Sequence, residues 1–372
     1  MELAVKKPDL LRELQLVQGV VERKTTIPIL SNLLLEVKGD ALGVSATDLE
    51  LSIKTQCPAK VKKEGAGTVP ARRLFELVRT LPDAEIKMKS LENHWLDLRC
   101  ERAHFKLVGM AKENYPALAD FPHALLEIPA GVLQTLIAKT AFAISLEESR
   151  YTLNGALLLL KPDTVSMVAT DGHRLAHVEA AQKQGGLKGE VRVLVPKKAM
   201  NEVDRLLREV DEKARVEFAR DDAHLFFKVG ERLPISRLLT GQFPNYEAVL
   251  PRENTRVVVL DRDMAAGAIK RADLVADQRS HAIRIALNPE KVEISASSSE
   301  YGEAREELET PKAYSGEPLQ IGFNATYLLD FFTAAAAGPV SFEFKDDQSA
   351  GELRPLAEED LKYRYVVMPM RL

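Results

Sequence analysis

The chain has 372 residues, 45% hydrophobic and 28% charged, an ordinary balance for a globular protein with room for two or three domains. No stretch approaches the ~20 apolar residues of a membrane-spanning helix, and the opening MELAVKKPDLL lacks the apolar region and cleavage site of a signal peptide, so no membrane partner and a cytoplasmic location are expected. Two cysteines, Cys57 and Cys100, form no CxxC pattern and stand far from any His pair, so neither a disulfide framework nor a zinc site is expected, and no cofactor of another kind is implied. The net charge of -4 argues mildly against a wholly basic nucleic-acid binder, although a protein that meets DNA with one face can be acidic elsewhere.

In chain order, the first helix falls in PDLLRELQLVQGVV, where Leu10, Leu14, Val17 and Val21 share a face. The β-like runs SNLLLEVKG and ALGVSATD follow, then a second helix in VPARRLFELVRTL. GAGT at Gly65–Thr68 reads as a hairpin turn, because no GK[ST] follows to make a phosphate loop. A turn-rich stretch near Phe121–Glu127 precedes a third helix in PAGVLQTLIAKTAFAI, with Leu133, Ile137 and Ile144 aligned. Then come GALLLLKP, TVSMVATD and a fourth helix in VPKKAMNEVDRLLREV. A second turn-rich stretch near Pro251–Thr255 leads to DRDMAAGAIKRADLVA, with Ala265, Ile269 and Ala272 on one side. AIRIALNPEKVEISAS supplies strands, and FNATYLLDFFTAAAAG a sixth helix.

The second, fourth and sixth helices repeat one pattern. Counted from Pro70, Pro196 and Asn324, positions +4, +7 and +11 are Leu74, Leu77 and Leu81; Met200, Val203 and Leu207; Leu328, Phe331 and Ala335. All are apolar, on one helical stripe. Pro70 and Pro196 suit the first helical position, Asn324 an N-cap, and Gly338 a C′ position. The spacings are 126 and 128 residues, too long for a solenoid, so each repeat is a domain: 1–125, 126–253 and 254–372. Two helices on antiparallel sheet in each predict an α+β fold of three structurally similar domains.

Two such chains joined head to tail offer twelve helices. At ~8–10 Å between neighbours they enclose an opening of roughly 31–38 Å, and a B-form duplex is about 20 Å across. Basic residues recur on the helices: Lys6, Lys7, Arg12, Arg72, Arg73 and Arg79 in the first third, Lys139, Lys197, Lys198, Arg205 and Arg208 in the second, Lys270 and Arg271 in the last. Acidic residues gather in Ser299–Glu309 and Ala357–Asp360.

The strings TIPILSNLLLEV, ATDLEL, VPARRLFELVRTLP, SRYTLNGALL, VATDGHRLA, FPNYEAVLP, IGFNATYLLDFF and the terminal YVVMPMRL run in order through all three thirds and resemble the bacterial β sliding clamp of DNA polymerase III. The resemblance implies the DNA clamp fold, a head-to-tail homodimeric ring around double-stranded DNA held by topology rather than sequence, and a non-catalytic processivity role. It implies a cleft for short peptide motifs of the polymerase III catalytic subunit, the clamp loader and other partners such as repair polymerases, ligase and mismatch-repair proteins. Carried onto this sequence, that cleft comprises Leu153, Thr170, Gly172, His173, Arg174, Leu175, Pro244, Val249, Asn324, Tyr327, Val366, Val367, Met368, Pro369, Met370, Arg371 and Leu372. Leu153, Leu175, Val366 and Val367 would form apolar walls, Met368 and Met370 adaptable ones, and Arg174 and Arg371 directional donors at the rim. Ser280 stands where a larger residue is expected to wall the cleft. Lys24 and Tyr151 are assigned toward DNA by the resemblance, with Arg72, Arg73, Lys197 and Lys198 as DNA-facing basic residues, although Glu147 and Glu148 lie close to Tyr151. Phe105 and Leu107 are matched to one side of the ring interface, Leu274 and Val275 to the other.

Two other readings remain open from sequence. A conventional DNA-binding protein without ring topology needs base-reading elements, and no zinc finger, helix-turn-helix or basic region is visible. An enzyme centred on Asp171 and His173 needs a nucleophile or cofactor, and a structural Asp–His contact is the simpler account.

Overall fold

A computed structural model describes every residue except 22–25, 184–186, 188, 290, 313, 315, 358–360 and 372. Among the described residues one pattern runs six times: a lead strand, a helix, then a meander of three strands. The first is β1 (Glu2–Lys6), α1 (Lys7–Val17), β2 (Asn32–Lys38), β3 (Ala41–Thr47) and β4 (Leu51–Pro58), followed by a short β5 (Lys60–Lys63). The second is β6 (Gly65–Pro70), α2 (Ala71–Thr80), β7 (Glu85–Ser90), β8 (Trp95–Cys100) and β9 (Ala103–Val108). The third is β10 (Leu126–Pro129), α3 (Ala130–Ala138), β11 (Gly155–Leu160), β12 (Thr164–Thr170) and β13 (Arg174–Ala181). The fourth is β14 (Val191–Pro196), α4 (Lys197–Leu207), β15 (Arg215–Arg220), β16 (His224–Lys228) and β17 (Leu233–Arg237). The fifth is β18 (Arg256–Asp261), α5 (Arg262–Asp273), β19 (Ala282–Leu287), β20 (Val292–Ser298) and β21 (Gly302–Leu308). The sixth is β22 (Leu319–Asn324), α6 (Ala325–Ala334), β23 (Pro339–Phe344), β24 (Gly351–Pro355) and β25 (Leu361–Val367).

Lead strands are exchanged between neighbouring repeats. β1 pairs with β7 and β6 with β2; β10 with β15 and β14 with β11; β18 with β23 and β22 with β19, all antiparallel. The meanders then join end to end. β17 pairs with β4, Leu233 opposite Lys54, and β13 pairs with β25, Leu175 opposite Val366. The result is two eight-stranded sheets, β10-β15-β16-β17-β4-β3-β2-β6 and β14-β11-β12-β13-β25-β24-β23-β18. Two shorter sheets, β5-β1-β7-β8-β9 and β21-β20-β19-β22, end on β9 and β21.

The chain forms two compact units: Met1–Gly131 with Lys198–Leu238, and Val132–Lys197 with Leu239–Leu372. The middle third of the sequence supplies β10 and β15–β17 to the first and β11–β14 to the second. In the first, β1 alternates Leu3 and Val5 into the core, where Leu10 and Leu14 of α1 and Leu74 and Val78 of α2 are also buried. In the second, β11 is buried at every position, as its unbroken GALLLL run requires for a strand covered on both faces.

The apolar stripes face inward as their periodicity predicts, with two exceptions. Val21 lies past the end of α1 and is half-buried, with Val20 buried in its place. Leu77 is only half-buried, and Val78 takes the fully buried place. Other boundaries shift. Pro70 and Pro196 end β6 and β14 and so precede their helices instead of opening them. α3 stops at Ala138, so Ile144 is buried beyond the helix. α6 stops at Ala334 with Ala335 as C-cap, and Gly338, at φ +120°, turns the chain into β23. Asn324 caps α6 as expected, its side chain accepting the Tyr327 N–H.

Candidate functional site

The hairpin between β12 and β13 organises the site. Asp171 Oδ1 accepts the backbone N–H groups of His173 at 2.9 Å and Arg174 at 3.1 Å, and Oδ2 accepts Arg174 Nε at 2.9 Å. Thr170 Oγ1 donates to the Arg174 carbonyl at 2.6 Å and accepts the Gly172 N–H at 3.1 Å. Gly172 sits at φ +90°, and a Cβ there would lie 2.5 Å from Arg150 Nη1, which donates to the Asp171 carbonyl at 2.7 Å. Only glycine fits both the angle and the approach. The His173 imidazole stacks on Tyr327, centroids 6.4 Å apart and planes within 20°. The Asp171 carboxylate therefore holds a turn, and its contact with His173 runs through the backbone.

Arg174 is not the rim donor expected from sequence. Its side chain is 9% exposed and points inward. Nη1 donates to Asp330 Oδ2 at 2.6 Å, Nη2 to the Phe142 carbonyl at 2.7 Å, and the guanidinium lies 4.4 Å from the Tyr327 ring centroid. Burial disfavours its charge, but Tyr365, Asp330 and Asp171 more than offset this and raise its pKa above the ordinary arginine value. Phe142 and Asp330, which meet Arg174, and Arg150, which meets the Asp171 carbonyl, carry no local signal of this role, because they come from other parts of the chain.

The C-terminal tail is tied to this hairpin. The Met368 N–H donates to the His173 carbonyl at 2.8 Å, and the Met370 N–H to the Gly322 carbonyl at 2.8 Å. Asn324 Nδ2 donates to the Ser280 carbonyl at 3.0 Å, and the Ser280 hydroxyl to Asp277 at 3.1 Å. Ser280, Met370 and Arg371 share a groove of 820 Å³ over β19–β21. Leu175, Val366 and Val367 are buried, not open walls, since β13 and β25 are central strands. Leu175 and Val366 pack with Leu157, Leu159, Val168, Leu194 and Tyr246, and Leu239, Phe243 and Leu250 lie against them. The apolar surface open to a ligand comes instead from Pro244, Val249 and Met368, which are exposed, and from Leu153, Pro369 and Met370, which are half-buried. Leu372 lies outside the described residues.

The residues assigned to DNA differ in their freedom. Arg72 and Arg73 project from α2 and share Glu76 at 2.8 and 3.5 Å. The Lys198 ammonium meets the Asp48 carboxylate. Lys197 is half-buried, and burial followed by the nearby Arg174 charge lowers its pKa. Tyr151 exposes its ring, and its hydroxyl lies 3.0 Å from Thr240 Oγ1. Lys24 lies outside the described residues. Several expected surface cations turn inward because helix ends present unmet carbonyls. Lys139 is 7% exposed and donates to the Ala334 carbonyl at 3.1 Å, and Lys7 donates to the Arg79 and Leu81 carbonyls. Arg205 meets the Leu16 carbonyl. Arg271 stays exposed and instead pairs with the Glu306 carboxylate of β21 at 2.9 and 2.8 Å.

Of the residues matched to a ring interface, Phe105 and Leu107 are half-buried on the edge strand β9. Leu274, just past α5, is 75% exposed, and Val275 is half-buried. Among the described residues no group of His, Cys, Asp and Glu is placed to hold a metal ion, and no helix is long and apolar enough to cross a membrane.

Three family models match in succession: the DNA polymerase III beta subunit N-terminal domain over residues 1–119, its central domain over 127–245 and its C-terminal domain over 247–371. The beta sliding clamp of Caulobacter vibrioides is 36% identical over 379 residues, and that of Pseudomonas aeruginosa 36% identical over 374, each covering all of both chains. The crystal structure of the Pseudomonas aeruginosa DNA polymerase III subunit beta superposes over all of both chains with TM-score 0.94 at 35% identity. A Pseudomonas aeruginosa sliding clamp solved bound to griselimycin gives TM-score 0.93 at 35% identity, again over all of both chains. The chain therefore belongs to the DNA polymerase III beta subunit family, the non-catalytic sliding clamps that serve as processivity factors in DNA replication.

Proposed function

We propose that two copies of this chain close head to tail into a ring around duplex DNA, and that the surface around the β12–β13 hairpin receives peptide segments of replication and repair proteins. One observation carries the ring. In both eight-stranded sheets the last strands of two meanders pair, β17 with β4 and β13 with β25. Two meanders remain, ending on β9 and β21 without a strand beside them among the described residues. Pairing β9 of one copy with β21 of the other repeats the rule already used twice, and two such joints close a two-fold assembly. The apolar Phe105 and Leu107 on β9 and the exposed Leu274 beside α5 would be covered by that joint. The domains are assigned as 1–125, 126–253 and 254–372, in a cytoplasmic protein.

DNA is held by enclosure in this reading. Arg72, Arg73, Lys197, Lys198 and Tyr151, with Lys24, supply weak phosphate contacts that are screened beyond ~8–10 Å. For peptides, exposed Pro244, Val249 and Met368 and half-buried Leu153 and Met370 offer an apolar surface, while Arg174, Tyr327 and Asn324 fix its shape. The polymerase III catalytic subunit and the clamp loader are the first partners expected. The test is gel filtration of protein loaded by a clamp loader onto a nicked circle. Retention through a high-salt wash and release on linearisation are expected; retention on linear DNA with free ends refutes enclosure.

A further inference from the structure

In β5-β1-β7-β8-β9 the inner face packs in the core through Leu3, Val5, Ile86, Met88, Leu96 and Leu98. The opposite face is crowded with cations. Lys60 and Lys62 project from β5, Lys87 and Lys89 from β7, Arg99 from β8 and Lys106 from β9, all exposed. Register sets them in rows: Lys89, Asp97 and Lys106 lie opposite one another, as do Lys87, Arg99 and His104. The carboxylates between them are fewer, and each is paired with a cation. Glu2 lies under Lys62 and Lys89 at 2.8 and 3.7 Å. Glu85 binds Lys60 at 2.7 Å, and Asp97, 9% exposed, lies under Arg99 and His104. An approaching ligand meets ammonium and guanidinium tips, in a protein whose net charge is -4.

One aromatic residue interrupts the array. Trp95 is the only tryptophan of the chain and is 39% exposed at the start of β8, on the same face as Asp97 and Arg99. It lines a groove of 580 Å³ with Lys89, Lys106 and one exposed carboxylate, Glu92. The turn before it places two successive non-glycine residues in the left-handed region, Asn93 at φ 60° and His94 at φ 63°. The Leu91 N–H closes the turn on the Trp95 carbonyl at 2.8 Å. Two such residues in a row cost conformational energy, and the tryptophan they present remains open to solvent.

We propose that this face binds single-stranded DNA, with phosphates along the lysine rows and a base stacked on Trp95. A cationic track with an interleaved aromatic platform suits a strand whose bases are free. In a duplex the bases are already stacked, and an acidic peptide has no use for the tryptophan. The surface lies on the sheet, on different residues from those assigned to duplex DNA and to peptides, so a clamp closed around duplex can also hold an adjacent unpaired strand.

The sole tryptophan makes the test direct. Full-length protein is titrated with a twenty-nucleotide oligo-dT at low salt, following tryptophan emission and the anisotropy of labelled oligonucleotide. Quenching by oligo-dT is expected, with little from a duplex of equal length or from polyglutamate. Lys87→Ser with Lys89→Ser should lower the slope of log affinity against log salt by about 1.4, and Trp95→Leu should weaken binding about tenfold by anisotropy. The lysines are exposed, so that variant keeps the question answerable if the tryptophan variant misfolds. Absence of quenching overturns the proposal. So does equal quenching by duplex or polyglutamate, or binding unchanged in the two-lysine variant but lost in Arg72→Ser with Arg73→Ser.

Discussion

Arg174 Nη1 and Asp330 Oδ2 lie 2.6 Å apart across 156 residues of sequence. The pair joins the first residue of β13 to α6, and with Asp171 and the Phe142 carbonyl it fixes the hairpin that the tail later grips. Removing the guanidinium leaves two carboxylates facing each other's charge. Arg174→Ala is expected to destabilise the protein by about 3 kcal/mol and to weaken peptide binding at least tenfold. Arg174→Lys should recover only part, since one ammonium cannot serve three acceptors in a plane. Urea unfolding and calorimetric titration of a polymerase tail peptide measure both; an unchanged unfolding midpoint contradicts the account.

The tail supplies both surface and anchorage. Deleting Met368–Leu372 removes the exposed Met368 side chain and the two backbone hydrogen bonds to His173 and Gly322. Peptide binding is expected to be lost while the dimer persists, because the two bonds run to the β12–β13 hairpin and to β22 rather than to β9 or β21. Calorimetry paired with light scattering decides it, and full peptide affinity in the truncated dimer is the contrary result.

Leu274 is exposed in the single chain, so charge placed there costs little until a second copy covers it. Leu274→Asp with Val275→Asp should give a folded monomer, because burying unpaired carboxylates at the joint is unfavourable. Sedimentation reads the mass, and circular dichroism the fold. The monomer should still bind the tail peptide. An undiminished dimer places the joint elsewhere.

Acid should weaken the second unit through Glu352. The residue is fully buried; burial pushes its carboxyl up, but hydrogen bonds from Arg364 and Arg354 outweigh this and hold it below the ordinary value of 4.5. A depressed folded pKa stabilises above the unfolded value and loses that contribution as pH falls through the folded one. Melting temperature should therefore drop as pH falls below about 4.5. In Glu352→Gln that acid decline should be shallower, from a lower starting point. Parallel melting curves for both proteins between pH 6 and pH 3 speak against the assignment.

The helices were legible because a 3.6-residue period is local: Leu74, Met200 and Leu328 announce their burial within three turns. The exchange of lead strands was not, because β1 meets β7 some eighty residues on, and alternation identifies a strand without naming its partner. Motif resemblance gathered Thr170, Gly172, Arg174, Tyr327 and Met368 into one site but mistook the posture of Arg174. A lysine or arginine in sequence says nothing of whether its head finds water or a carbonyl, and Lys139 found Ala334. Leu175 and Val366 misled in the opposite direction, as apolar residues on central strands that a cleft reading had placed at the surface.

Exchanged lead strands also dictate the order of events at the ribosome. β1 emerges first, yet its two partners, β5 and β7, end only at Lys63 and Ser90. At ~5–20 residues per second the second of them is a wait of roughly 4–17 s. Then β6 finds β2 already made, while β10 must wait in turn for β15. A nascent chain of this kind carries a lead strand awaiting its later partner three times over, and each pairing closes only when the next lead strand, the next helix and the strand after it have been translated.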